Sequence, residues 1–143
     1  MAVQLSHTIL KAHDRRRTAH LITEMLGLPE PEGDADDRVL SIRLSNDSSV
    51  DVMRVDDPID SEHYAFLVSE AEFDAILDRV TSKQLDHWAD PFHQEPGRIN
   101  THDGGRGVYF DDPNGHNLEV ITTPYGTDAA EVGLVRDGKI PPR

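Results

Sequence analysis

Tyr109-Phe110-Asp111-Asp112-Pro113-Asn114-Gly115-His116-Asn117-Leu118-Glu119 reads as two strands folded about a turn. In Asp112-Pro113-Asn114-Gly115, Pro presets φ, Asp and Asn bond their own backbone, and Gly tolerates positive φ. Residues 107–111 and 117–123 are the strands on either side. On the second strand Asn117, Glu119 and Ile121 face one way, and Leu118, Val120 and Thr122 the other. A carboxylate set mid-strand between aliphatic neighbours is costly to bury unless it is paired or bound to a metal. Tyr109 precedes Glu119 by ten residues, and antiparallel pairing across the turn can bring both into one pocket. Its phenol suits proton transfer or a hydrogen bond to a substrate oxygen; an ordinary half-buried aromatic is the plainer alternative.

The same chemistry recurs upstream. Val50-Asp51-Val52 matches Leu118-Glu119-Val120, and His7 matches His63, each inside a strand-like run that leads into a helix. His7 and His63 stand 56 residues apart, as do His63 and Glu119. Each half thus opens on a histidine and closes on a carboxylate framed by branched apolar residues. Two histidines with one or two carboxylates make a ligand set for a divalent metal. The alternative is a buried His–carboxylate hydrogen bond without metal. Asp51 is one methylene shorter than Glu, and is either a ligand or an acceptor for a ligand histidine's N–H.

The elements between these residues repeat too. Residues 3–11 alternate as a strand, with Val3, Leu5, His7 and Ile9 on one face. Asp14 caps a helix to Leu26 with Ala19, Ile22, Met25 and Leu26 on one stripe, and Gly27 ends it. Residues 30–37 are an acidic loop; 38–44 and 48–55 are strands with Asn46-Asp47 between them. In the second half, 63–68 is a strand and Ser69-Glu70-Ala71-Glu72 a capping box. The helix after it carries Phe73, Ile76, Leu77 and Val80 on one face. Residues 85–89 are a short strand and 90–105 a long loop. The pattern describes one domain over 1–123, with modules at about 3–56 and 62–123 and a tail at 124–143.

Composition narrows the partners. With 143 residues and 36% hydrophobic content the chain folds as one domain or two small modules sharing a core. A net charge of −13 argues against nucleic acid and anionic membranes as partners. There is no cysteine, which excludes disulfides, thiolate nucleophiles and Cys-ligated zinc. No signal-like apolar core opens the sequence, and a cytoplasmic location is expected. His93, Arg98 and His102 in the long loop are candidates for a lid or are solvated. Gly104-Gly105-Arg106-Gly107 precedes a strand rather than a helix, so it reads as a turn and not a phosphate loop. Arg15, Arg16 and Arg17 read as an exposed helix face. His13, His20, His87 and His116 carry no ligand argument.

Taken together, His63-Tyr64-Ala65-Phe66, Leu5-Ser6-His7-Thr8 and the Tyr109-to-Glu119 stretch resemble the vicinal oxygen chelate superfamily, over about residues 3–123. That group includes glyoxalase I, extradiol dioxygenases, fosfomycin-resistance transferases and bleomycin-resistance binding proteins. The resemblance implies an α+β fold of two βαβββ modules with mixed sheets forming a cup around one divalent metal ion (Fe, Mn, Ni, Co or Zn). The positions matching its three usual ligands are His7, His63 and Glu119, and Asp51 falls where glyoxalase I has a fourth, glutamate ligand. Ile9 stands where a fosfomycin transferase has Thr, and 48–55 lacks the acid/base histidine of an extradiol dioxygenase. The implied function is a metal-dependent enzyme, a dioxygenase or a lyase/isomerase, acting on a small oxygenated or aromatic molecule. The implied assembly is a homodimer in which one chain's His7 joins the other's His63 and Glu119. The rival is a binding protein that sequesters an antibiotic or metabolite among Trp88, Phe92, Tyr109 and Phe110. A third possibility is a regulatory dimer that retains ancestral ligands.

Overall fold

A computed structural model describes residues 3–33, 36 and 38–126. Most of the expected tail, and residues 34, 35 and 37 of the acidic loop, lie outside the described residues. The chain forms two compact units. The first holds the described residues up to Ser61 together with Asp112–Gly115. The second holds Glu62–Asp111 and the described residues from His116 on.

The first unit contains β1 (His7–Ala12), α1 (Arg15–Leu26), β2 (Val39–Arg43) and β3 (Ser49–Arg54). Asp14 caps α1 by accepting from the Arg17 N–H, and Gly27 ends it with φ of 69°. The buried stripe is Thr18, Ala19, Ile22, Thr23 and Met25, so two threonines join the expected apolar positions while Leu26 stays half-buried. The sheet order is β1-β3-β2, with β1 parallel and β2 antiparallel to β3. Leu10, Ala12, Leu40, Ile42, Val50 and Val52 are its buried face. β1 starts at His7 rather than residue 3 because its partner β3 starts at Ser49, opposite His7, which leaves residues 3–5 no strand to pair with. The extra strand of a βαβββ module is reduced here to one antiparallel bridge, Glu32 to Ser41. The Asp-Pro-Asn-Gly turn bonds into this unit. Asn114 donates to the Thr18 hydroxyl (2.9 Å) and accepts from the His13 N–H (3.1 Å).

The second unit has the full βαβββ order: β4 (His63–Leu67), α2 (Glu70–Ser82), β5 (His87–Trp88), β6 (Gly107–Asp111) and β7 (Asn117–Ile121). The expected capping box forms, with Ser69 and Glu72 each bonding the other's backbone N–H. The sheet order is β4-β7-β6-β5. β4 runs parallel to β7, and the other pairs are antiparallel. Phe66, Phe73, Ile76, Val80, Val108, Phe110, Leu118 and Val120 form the core. β5 is only two residues long because the chain turns back on it: Ala89 bonds the Glu95 carbonyl and Trp88 bridges Pro96. Arg106 lies over the Phe73 ring at 4.5 Å and pairs with Glu70 and Asp74, both at 2.8 Å. Those two carboxylates raise its pKa, led by the Asp74 hydrogen bond. The Gly-rich stretch around it is thus structural, as its position before a strand suggested. A Cβ at Gly105 would collide with the Thr123 hydroxyl. No helix among the described residues is long and apolar enough to cross a membrane.

Candidate metal centre

Strand register places the candidate residues. In the second sheet Ala65 pairs with Glu119, Glu119 with Tyr109, and Tyr109 with Trp88, so one row crosses all four strands. Cross-strand partners point to the same side of a sheet. Tyr109 and Glu119 therefore share the face opposite Val108, Phe110, Leu118 and Val120. His63 and Asn117 lie on that same face in the next row, paired with each other and with Asp111. The first sheet repeats the register, with Ile9 opposite Asp51 where the second has Ala65 opposite Glu119. Asp51 is thus the counterpart of Glu119, as the sequence repeat indicates.

Glu119 is fully buried. Its Oε2 lies 3.0 Å from Nε2 of His63. Its Oε1 accepts from the Tyr109 hydroxyl at 2.7 Å and from the Tyr125 hydroxyl. The two phenol oxygens are 2.7 Å apart. Burial first, then hydrogen bonding in this cluster, raises the pKa of Tyr109 far above the usual phenol range; burial and Glu119 raise that of Tyr125. Both phenols keep their protons and serve as donors. The His63 ring stacks beside Tyr109, with centroids 6.1 Å apart and planes at 24°.

The tautomer of His63 follows from its neighbours. Its Nδ1 lies 3.0 Å from the Asn117 carbonyl oxygen, which can only accept, so Nδ1 carries a proton. Nε2 then presents a lone pair toward the carboxylate unless it too is protonated or a cation lies beside both. This is the arrangement of a metal-ligating histidine, whose other N–H is held by a carbonyl or carboxylate. The spacing also fits. Two donors about 2.1 Å from one ion and about 90° apart at it are separated by about 3 Å. The imidazole is half-exposed, which leaves its outer side open to further ligands.

His7 and Asp51 belong to the first unit. His7 is exposed, with Nδ1 3.1 Å from the Ser6 hydroxyl. Asp51 is half-buried, and its Oδ1 accepts from the Ser41 hydroxyl at 2.7 Å and the Ser49 hydroxyl at 2.9 Å. Of the candidate residues, His63, Glu119 and Tyr109 are brought together. Among the described residues of one chain, no three His, Asp or Glu side chains form a metal-binding group.

Two features escaped the sequence reading. One is Tyr125, which follows the last strand in a stretch without hydrophobic periodicity and offers no signal. The other is the stacking of His93 on Trp88, with centroids 3.5 Å apart and planes at 7°. His93 Nε2 also lies 3.3 Å from Asp111 Oδ1. The loop is held by Asp90, which accepts from the backbone N–H groups of Phe92, Gln94 and Glu95. Arg98 and His102 are exposed. His116 is buried and structural, accepting from the Glu62 N–H at 3.0 Å.

No protein-family model matches the sequence, and no curated protein matches it. Among solved structures, the chain is similar to one described as "Oxidase ChaP-H1", at 48% identity and a TM-score of 0.84, over 88% of this chain and 100% of that one. It is similar to "Oxidase ChaP-H2" at 47% identity and 0.84, over 89% and 98%. Similarity of fold alone extends to a lactoylglutathione lyase from Agrobacterium tumefaciens, at 16% identity and 0.67, over 88% and 98%. It extends likewise to the fosfomycin resistance protein FosX from Mesorhizobium loti, at 23% identity and 0.64, over 87% and 96%.

Proposed function

We propose that the protein, whose fold is shared with a lactoylglutathione lyase and a fosfomycin resistance protein, is a metal-dependent enzyme of the vicinal oxygen chelate superfamily whose site is built on His63 and Glu119 and completed by His7. The observation that carries this reading is the His63–Glu119 pair. His63 Nε2 lies 3.0 Å from the buried Glu119 carboxylate, and the Asn117 carbonyl holds the proton on Nδ1, so Nε2 is the ligating nitrogen. A divalent ion, one of Fe, Mn, Ni, Co or Zn, would be held by these two residues. Bound there, it supplies Lewis acidity toward a substrate with adjacent oxygens.

The chain's own residues do the rest. Asn117 orients His63, and Tyr109 orients Glu119. Tyr109 donates to Glu119, and its phenol is the group of this site placed for proton transfer. Asp51 acts as an acceptor rather than a fourth ligand: two serine hydroxyls already fill its Oδ1, and it reaches less far than Glu. Relatives described as oxidases at 47–48% identity favour oxidation over isomerisation or elimination.

We also infer a homodimer in which the partner's His7 joins His63 and Glu119. Val3, Leu5 and Ile9, at alternate positions around His7, are 103%, 70% and 40% exposed. Such a stripe gains from burial against a second copy. The single domain over 1–123, with modules at 3–56 and 62–123, and a cytoplasmic location belong to the same proposal.

Trp88 supports an aromatic substrate. It stands two strands from Glu119 on the same face, a distance of about 10 Å from the spacing of strands. That is the reach of a dihydroxyarene two or three rings long, chelating at one end and stacking at the other in place of His93. Such a probe should perturb the absorption of the cobalt-loaded protein on binding. Trp88→Ala should weaken its binding about 2–10-fold, the range of one aromatic pair, and leave metal binding unchanged. Binding that is equally tight with and without metal would instead favour the sequestering protein. No binding at all would remove the aromatic substrate from the proposal.

A further inference from the structure

We propose that Tyr125 is a positioning residue of the metal centre: with Tyr109 it saturates Oε1 of Glu119, leaving Oε2 as the single atom through which Glu119 holds the metal. The inference rests on the metal reading above and extends it to a residue outside the strands.

A carboxylate oxygen has two lone-pair sites. Oε1 has two phenol donors, Tyr109 and Tyr125, while Oε2 faces only His63 Nε2. The two phenols carry one proton each. Each phenol lies within hydrogen-bond reach of Oε1 and of the other phenol, whose oxygen is 2.7 Å away, so the two hydroxyls and Oε1 form one closed cluster. Tyr109 comes from the strand paired with Glu119 and approaches along the sheet. Tyr125 approaches from outside. Its residue is 58% exposed, yet its hydroxyl reaches a carboxylate that is fully buried. Pro124 and Gly126 flank it, and Gly126 has φ of 72°. The chain therefore turns after β7 so that one side chain points back at the site. With Oε1 engaged in this cluster, Oε2 is the oxygen left toward His63 and the metal. Removing the Tyr125 hydroxyl takes away one of the two groups at Oε1 and loosens the carboxylate.

The test uses full-length protein and cobalt(II) as the probe. Affinity is measured by competition with a chromophoric chelator, and ligand geometry from the visible absorption of the cobalt-loaded protein. Tyr125→Phe removes one oxygen and keeps the ring. It should weaken cobalt binding about tenfold, within the range for groups that hold a metal ligand, and should change the visible spectrum. Unchanged affinity and spectrum beside a wild type that binds cobalt would overturn the role of Tyr125 and leave the metal centre standing. A wild type that binds no cobalt would overturn both. Tyr125→Leu, which also lacks a donor, replaces the phenylalanine variant if that one does not fold, and the same outcomes apply.

Discussion

Glu119→Gln should lose metal binding by more than 100-fold while keeping its fold. The substitution is nearly isosteric, and the amide satisfies the same neighbours. Its oxygen accepts from Tyr109 and Tyr125, and its NH2 donates to the Nε2 lone pair of His63. What disappears is the anionic donor at the ion. Groups that only orient a ligand cost about 10–100-fold when removed, so loss of the ligand itself must exceed that range. Asp51→Asn, the same change at the counterpart position, should stay within it, because Asp51 is committed to Ser41 and Ser49. Equal loss in the two variants, read by chelator competition, would make Asp51 a ligand and the site nearly symmetric.

Complementation between two inactive variants has the next largest effect. His7→Ala and Glu119→Gln each remove one ligand from every site of a homodimer. When the two are unfolded together and refolded in equal amounts, half of the dimers are mixed. If the partner's His7 completes the His63–Glu119 pair, each mixed dimer has one intact site. About one quarter of all sites then bind metal tightly. If a single chain supplies all three ligands, no site is restored. Sedimentation is the control, with the wild type expected at about twice the 16.0 kDa of one chain at micromolar concentration.

Much of this was legible in the residues because strand periodicity is exact. Once the Asp112–Gly115 turn is recognised, alternation alone puts Glu119 and Tyr109 on one face, and the structure pairs them directly. The repeat likewise made Asp51 the counterpart of Glu119, and the register bears that out. Caps at Asp14, Gly27 and Ser69 were readable because each is a local arrangement of a few residues. What could not be read depends on contacts across the chain. The start of β1 is set by where β3 begins, and the two-residue β5 by a loop that folds back on it. Tyr125 carries no periodic signal, and only the path of the chain beyond β7 brings its hydroxyl to Glu119. The tautomer of His63 was equally hidden, since a backbone carbonyl decides it.

Elemental analysis of protein purified in buffer free of chelators, wild type beside His63→Ala, tests the metal centre most directly. His63 is half-exposed, so the variant should fold. The wild type should carry close to one divalent ion per chain, and His63→Ala little or none. Equal, negligible metal in both, persisting after incubation with iron, manganese, nickel, cobalt or zinc, would contradict the account.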